Sequence, residues 1–473
     1  MQSAIFLDTN SPVFTIPTPA AGSTLAYIVT DYAGAVRYQG QIAVTSGQTI
    51  LSLPRLSDDY YVLKVTERVS ATSNTWTLPF TVVAPFSSPA QTSFGVSAHF
   101  SRYDPFELAQ TMSTLGARWV RDDATWAEIE TQKGAYRFEN TDPFMSVFRH
   151  DTLNPLLILD YNNAFYDNGL TPYDDVGYTA FANYARALVS HYGPQLKTVE
   201  VYNEYNGTFS NGPCARKASC YAQLLRFTYQ AIKAVRPDVT VVAGVTFGID
   251  LDWFKELFAA GGLAFADAIS VHPYSILFFE SPEETHIVEH LQALQTLIRA
   301  HGETKPIWIT ELGWSTALDL TSEAGQAHYL VRGTALSLSV GVEKIFWYDL
   351  LNDGTEFIAR EQNFGLLRRP GAPGYYTPKP AYTAYAVLIR ALAGRSFLGR
   401  QPTADHIYHL RFSNHLHLLW ATEQHQRFVL SAASQLTMMS MTGKTETLLP
   451  VEGKITLDLS GEPMYLLGEI VGE

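Results

Sequence analysis

Three patterns of apolar and polar positions follow one another along the chain. Up to Val83, short runs rich in β-branched and aromatic residues alternate with turn residues: LAYIVTD, AVRYQGQIAV, TILSLP, YYVLKVTE and TWTLPFTVV. Runs of this kind predict strands, and their number predicts a small β-sandwich. Pro and Ser in APFSSPAQTS, Ala84 to Ser93, then predict a linker.

From Phe94 the period changes. Apolar runs of strand length now alternate with helical patterns: FGVSAHF, RWVRDD, PLLILDY, TVEVY, VTVVAG, DAISVHP, PIWITE and KIFWYDL. Helices are expected after each, over Pro105–Leu115, Asp142–Arg149, Asp175–Tyr192, Tyr221–Val235, Leu251–Ala260, Pro282–Ala300, Ser322–Val340 and Pro380–Leu392. Unbroken alternation means parallel strands with helices outside, and eight units are the number that closes a (β/α)8 TIM barrel. An open doubly wound sheet would more often carry a Gly-rich phosphate turn after its first strand, and SAHFSRYDP is not one. Beyond Gly394 the pattern returns to short strands: HIYHLRFS, HLHLLWAT, FVLSAAS, KITLDLS and PMYLLGE. The expected class is therefore α/β. An N-terminal β-sandwich (1–88) and a C-terminal β-sandwich (395–473) flank a barrel (89–394).

The active site of such a barrel lies at the C-terminal ends of its strands. The first strand ends near His99, the second on Arg121, Asp122 and Asp123, the third on Asp160, Tyr161 and Asn162, the fourth on Asn203 and Glu204. The sixth ends on His272 and Tyr274, the seventh on Glu311 with Trp314 following, and the eighth on Trp347, Tyr348 and Asp349. Only the fifth, VAGVTFG, offers little. One polar strand end is as well explained by solvent as by function, but a ring of them is more than a structural face needs.

Glu204 and Glu311 sit on the fourth and seventh strands, across the barrel mouth from each other. Two carboxyl groups facing one cavity suit glycoside hydrolysis: one protonates the leaving oxygen, the other attacks the anomeric carbon. Arg121 and Tyr274 are the expected partners of the ionised member. At these residues the chain resembles clan A of the retaining glycoside hydrolases. YNE is similar to its acid/base motif, WITELGW to its nucleophile motif, and ATWAEIETQKGAYRF, SVHPY and the eighth-strand Trp fit its pattern. With the appended β domains, the closest resemblance is to glycoside hydrolase family 39 and bacterial exopolysaccharide hydrolases. Tyr205 departs from the Pro that many clan members carry after Asn-Glu.

The resemblance implies Glu204 as acid/base and Glu311 as nucleophile, with no cofactor and no metal. It implies that Asn203 binds the hydroxyl beside the anomeric carbon, that His272 and Tyr274 line the cleavage subsite, and that Trp347 is its floor. His99, Arg121, Asp160, Asn162 and Trp314 complete the expected binding set. Phe165, Tyr166 and Tyr173 after the third strand could line a groove, which tips the expectation toward endo cleavage; an exo-acting β-xylosidase-like enzyme is the alternative. A catalytically silent carbohydrate-binding barrel would have no need of the Glu204–Glu311 pair. A metal-dependent hydrolase would want more His and Asp ligands than His99, His272 and a few Asp.

Composition narrows the picture further. Over 473 residues, 46% are hydrophobic and 17% charged, which describes a globular chain with a large core. A formal net charge of -13 disfavours a nucleic-acid partner, and 26 Tyr and 8 Trp suit stacking on sugar rings. No run is long enough to span a bilayer. The opening MQSAIFLDTNSPVF lacks the basic and apolar regions of a signal peptide, so the chain is expected to be cytoplasmic unless a leader has been removed. Cys214 and Cys220 are either a disulfide or two free thiols. HIVEH (His286 to His290) matches an inverted zinc-peptidase pattern but falls on an exterior helix. The sequon at Asn206 lies beside the expected acid, where a glycan would block the cleft.

Overall fold

The computed structural model of the chain describes residues 4–471 except 17–22, 43, 45–48, 70–71, 87–91, 276 and 370–375. At its centre eight parallel strands close into a barrel: β1 (Phe94–Ser97), β2 (Trp119–Thr125), β3 (Asn154–Asp160), β4 (Thr198–Val201), β5 (Thr240–Phe247), β6 (Ala268–His272), β7 (Ile307–Leu312) and β8 (Lys344–Trp347). β8 pairs back onto β1, Ile345 opposite Phe94, and so completes the ring.

The helices form where the periodicity places them, and local chemistry sets their ends. The Asp104 side chain caps Pro105–Leu115 by accepting from the backbone of Phe106 and Glu107, and Gly116 ends the helix in the left-handed region. The helix expected over Pro282–Ala300 begins later, at Ile287. Thr285 N–H donates to the Ser281 carbonyl and Ser281 N–H to the Glu284 carboxylate, so the preceding residues form a turn. His286 therefore stands outside the helix at φ 51°, and its ring lies 6.5 Å from that of His290. The one-face pair that a zinc-peptidase motif needs is not formed.

Inward-facing residues fill the barrel in layers. Trp119, Leu156, Val242, Ala268, Trp308 and Phe346 close the bottom. Gly95 makes room there, because a Cβ at that position would fall 2.5 Å from the Phe346 ring. One layer higher the interior becomes polar, with Arg121, Glu200, Ser270 and Thr310 all buried. That change of character is what builds the site.

Both β regions pack against the barrel. In the N-terminal one a five-stranded sheet and the Val13–Ile16/Thr49–Ser52 ribbon enclose Phe14, Phe80, Leu63 and Val65. In the C-terminal one a six-stranded sheet and the Gln426–Ser431/Lys454–Leu459 ribbon enclose Leu419, Leu436 and Leu457. Two of its strands, Leu436–Ser440 and Thr445–Leu448, were not evident as runs, since Thr, Ser, Met and Glu there show no clean alternation. The last barrel helix, Pro380–Leu392, lies against the N-terminal region. Thr383 Oγ1 is 2.8 Å from Thr81 Oγ1, and the Arg390 guanidinium donates to the Ala84 carbonyl. Part of the expected linker, 87–91, lies outside the described residues.

Candidate active site

Above the polar layer a cavity of about 690 Å³ opens at the C-terminal ends of the strands. Of the expected residues, His99, Arg121, Asn203, Glu204, Tyr274 and Glu311 line it.

Arg121 organises the floor. Its Nε donates to Glu200 Oε2 at 2.6 Å, Nη1 to Glu311 Oε1 at 2.5 Å and Nη2 to Asn203 Oδ1 at 2.8 Å. One guanidinium thus ties β2 to β4 and β7. Asn203 in turn donates from Nδ2 to the Tyr161 hydroxyl at 3.2 Å.

Glu204 owes its position to the abrupt end of β4. Tyr202 and Glu204 adopt left-handed φ angles of 68° and 42°, which non-glycine residues take only where their surroundings enforce it. Here the enforcement is aromatic packing. Tyr205 is fully buried and its ring sits 4.9 Å from Tyr202 and 5.0 Å from Tyr221. Tyr221 donates to the Val201 carbonyl and accepts from Gly244 N–H, joining β4 to β5. The residue where many clan members have Pro is therefore a packing anchor, although its hydroxyl has no hydrogen-bond partner among the described residues. Asn206 uses both sides of its amide on Phe247, a strap from the β4 loop to the end of β5.

Glu311 stands where the register of β7 against β8 shifts, between Ile309 and Leu312. Such an irregularity re-aims a side chain. Its Oε1 accepts from Arg121, and its Oε2 accepts from the Tyr274 hydroxyl at 3.1 Å. His272 is fully buried behind the pair, with Nδ1 3.0 Å from Glu204 Oε1 and 3.6 Å from Glu311 Oε2, and Nε2 3.0 Å from Thr310 Oγ1. One oxygen of each carboxyl and one nitrogen of His272 fall within 4.8 Å of one another.

The electrostatics separate these groups. Burial pushes the Glu204 carboxyl up to about 7, with Arg121 pulling partly against it and Glu361 adding to it. Burial brings His272 down to about 4, so its imidazole is neutral. On the opposite wall, Asp122 and Asp349 are each raised to about 7, chiefly by burial. His99 goes the other way: burial opposes its charge, but Asp123 at 3.7 Å and the nearby Asp349 and Asp122 raise it to about 9. That wall presents a cationic imidazole among carboxyl groups, a surface rich in donors and acceptors for hydroxyls.

The remaining expected residues lie behind the lining. Asp160 is fully buried, and Asn162 donates to the Gly169 carbonyl. Trp347, the expected floor, is 1% exposed and packs on Trp314, whose indole donates to the Glu280 carbonyl. Tyr166 stacks on Trp126 and donates to Glu130, and Tyr173 accepts from Asn168; neither lines the cavity. Lining residues that strand-end reasoning passed over are Phe247 at the end of β5 and, from loops, Phe209, Phe278, Asp353, Arg360 and Glu361. Arg360 lies over the Phe278 ring at 3.9 Å. No local pattern marks Asp353, Arg360 and Glu361, because the long loop after β8 brings them back over the mouth. Cys214 and Cys220 form a disulfide at the start of the helix Ala218–Val235.

Residues 176–366 match the family model described as the glycosyl hydrolase catalytic core, and the protein is a glycoside hydrolase on that ground. No curated protein sequence matches the chain. Among solved structures, a family 39 glycoside hydrolase from the gut symbiont Bacteroides cellulosilyticus WH2 is similar at a TM-score of 0.84 and 23% identity, with 99% of each chain covered. A family 39 β-xylosidase from Caulobacter crescentus is similar at 0.57 and 18% identity, over 81% of this chain and 98% of that one. A family 30 endoxylanase from Clostridium papyrosolvens C71 is similar at 0.54 and 14% identity, over 81% and 97%. These likenesses are of fold.

Proposed function

We propose that this glycoside hydrolase works with retention by double displacement, Glu204 as acid/base and Glu311 as nucleophile. The observation that carries the proposal is the pair itself. One carboxyl is raised to about 7, the other accepts from Arg121 and Tyr274, and their oxygens approach within 4.8 Å. Retaining pairs stand about 5–5.5 Å apart, whereas inverting pairs need about 6.5–9.5 Å to seat a water.

In the first step Glu311 attacks the anomeric carbon while the glycosidic bond breaks and Glu204 gives its proton to the departing oxygen. Glu204, now a carboxylate, then takes a proton from the water that cleaves the glycosyl ester. The neutral His272 supports both states. When hydrogen bonds run from Ser270 through Thr310 to Nε2, the imidazole donates from Nδ1 to Glu204 Oε1 and leaves Oε2 for the substrate. Asn203, held by Arg121, is the group for the hydroxyl beside the reacting carbon.

The substrate reading is an oligosaccharide or polysaccharide cut internally. Exposed apolar side chains next to lining residues support it: Phe209 itself, Leu277 and Phe279 beside Phe278, and Phe357 and Ile358 in the loop that carries Arg360. Such a rim gives stacking surface for sugars beyond the cleavage point. A panel of bacterial exopolysaccharides and plant β-glycans, with product sizes and the first-formed anomer recorded by NMR, tests all of this. Oligomeric products of retained configuration are expected. Monosaccharide release alone would make the enzyme exo-acting, and an inverted anomer would overturn the mechanism.

A further inference from the structure

Glu200 takes part in none of these steps and does not line the cavity, yet it is a fully buried carboxylate one layer beneath the nucleophile. A carboxylate there is costly unless something needs it. Its Oε2 takes the Arg121 Nε–H at 2.6 Å, while its Oε1 has no hydrogen-bond partner among the described residues. A residue placed only to accept from the guanidinium could have been a neutral amide. The charge itself therefore calls for a reason.

The reason lies in how charge changes around the catalytic cycle, and the argument rests on the retaining reading above. Arg121 carries one positive charge, and in the free enzyme Glu311 and Glu200 bond to it directly, with Asp123 acting from further away. When Glu311 becomes the ester of a glycosyl-enzyme, its charge is gone. Arg121 is 3% exposed and cannot turn to water for compensation. A buried cation beside a developing oxocarbenium ion is the wrong sign for that transition state.

We infer that Glu200 is a positioning residue that keeps Arg121 neutralised while Glu311 is covalently occupied, and that aims its two Nη groups at Glu311 and Asn203. Arg121 and Glu200 then form a balanced, directly bonded pair throughout the cycle, whether Glu311 is charged or esterified. Glu200 also bears on the acid, through Arg121. Glu204 is faced by Arg121, His272, Tyr274, Glu311, Arg360 and Glu361, and Arg121 is the strongest influence favouring its ionised form. Glu200 offsets that influence and so helps hold the proton on the acid.

Glu200→Gln is the test, because it keeps an oxygen for the Arg121 Nε–H and removes only charge. In the folded variant, kcat on an activated aryl glycoside should fall about tenfold or more with little change in KM, since the loss is felt in the transition state. On a substrate with a poor leaving group, the alkaline limb of kcat/KM, set by Glu204, should move about one unit lower. Glu200→Asp keeps the charge at a shorter reach, so its limb should stay at the wild-type position while kcat falls. If Glu200→Gln does not fold, that unmoved limb is the deciding result. Wild-type kcat and an unmoved limb in Glu200→Gln, or a shifted limb in Glu200→Asp, would overturn the inference. Titrating Glu204 in the substrate-free enzyme by carboxyl 13C NMR, assigned with Glu204→Gln, separates this from failure of the glycosidase reading. A lower Glu204 pKa in Glu200→Gln supports the charge balance even if no glycoside is cleaved, and an unchanged one sinks it.

Discussion

His272 Nδ1 lies 3.0 Å from Glu204 Oε1, the imidazole fully buried and the carboxyl at the edge of the cavity. The same burial that keeps the imidazole neutral raises the carboxyl to about 7. Glu204 is thus protonated below neutral pH and ionised above it. Glycosylation needs the protonated form, so kcat/KM on a substrate with a poor leaving group should decline as pH rises through about 7. A flat profile from pH 6 to 9 would show that another group supplies the proton.

Burial of the same carboxyl makes a stability prediction. Its folded-state pKa is raised, so its contribution is fully present below the unfolded value of 4.5 and is lost as pH rises through about 7. At pH 5 the folded enzyme holds a neutral acid, and at pH 8 a buried carboxylate. Glu204→Gln should therefore gain Tm relative to wild type at pH 8 but not at pH 5. Equal differences at the two pH values in thermal melts would contradict the assigned shift.

Roles within the pair can be told apart chemically. Glu204→Ala lacks the acid, but an activated aryl group departs with little protonation, so the variant should still form the glycosyl-enzyme. Azide needs no general base and should speed the second step, giving a product of retained configuration. Glu311→Ala should gain no such product. Rates with and without azide decide this, and the opposite pattern would exchange the roles.

Tyr274 donates to Glu311 Oε2 at 3.1 Å, the oxygen that Arg121 does not hold. Tyr274→Phe keeps the ring and removes the donor. It should lower kcat by about tenfold or more while leaving Tm near wild type. A loss confined to KM would place Tyr274 in substrate binding alone.

Tyr205 is the opposite case. Its hydroxyl is buried without a partner, so Tyr205→Phe should stabilise the protein by about 1 kcal/mol, read as a higher urea midpoint, with activity unchanged. Destabilisation would mean that the hydroxyl has a partner, such as an ordered water.

The barrel and its carboxylate pair were legible because they rest on local signals. Period-two and period-3.6 runs place the strands and helices, and the barrel rule turns strand ends such as Glu204 and Glu311 into one cavity. What stayed hidden depends on distance along the chain. Nothing near Arg360 in sequence shows that its loop folds back over Phe278. Glu200 reads as one more residue of an apolar strand until Arg121 is seen against it. Trp347 and Trp314 illustrate the reverse: large aromatics near strand ends can equally fill the wall behind a cavity, and only packing distinguishes the two.

The contact between Thr81 and Thr383 joins residues 302 positions apart. On a ribosome adding about 5–20 residues per second, the Pro380–Leu392 helix follows the strand it covers by roughly 15–60 s. That interval is far longer than a small sheet needs to form. The N-terminal region is thus born with one flank bare, and that flank stays uncovered until the last helix of the barrel has been made.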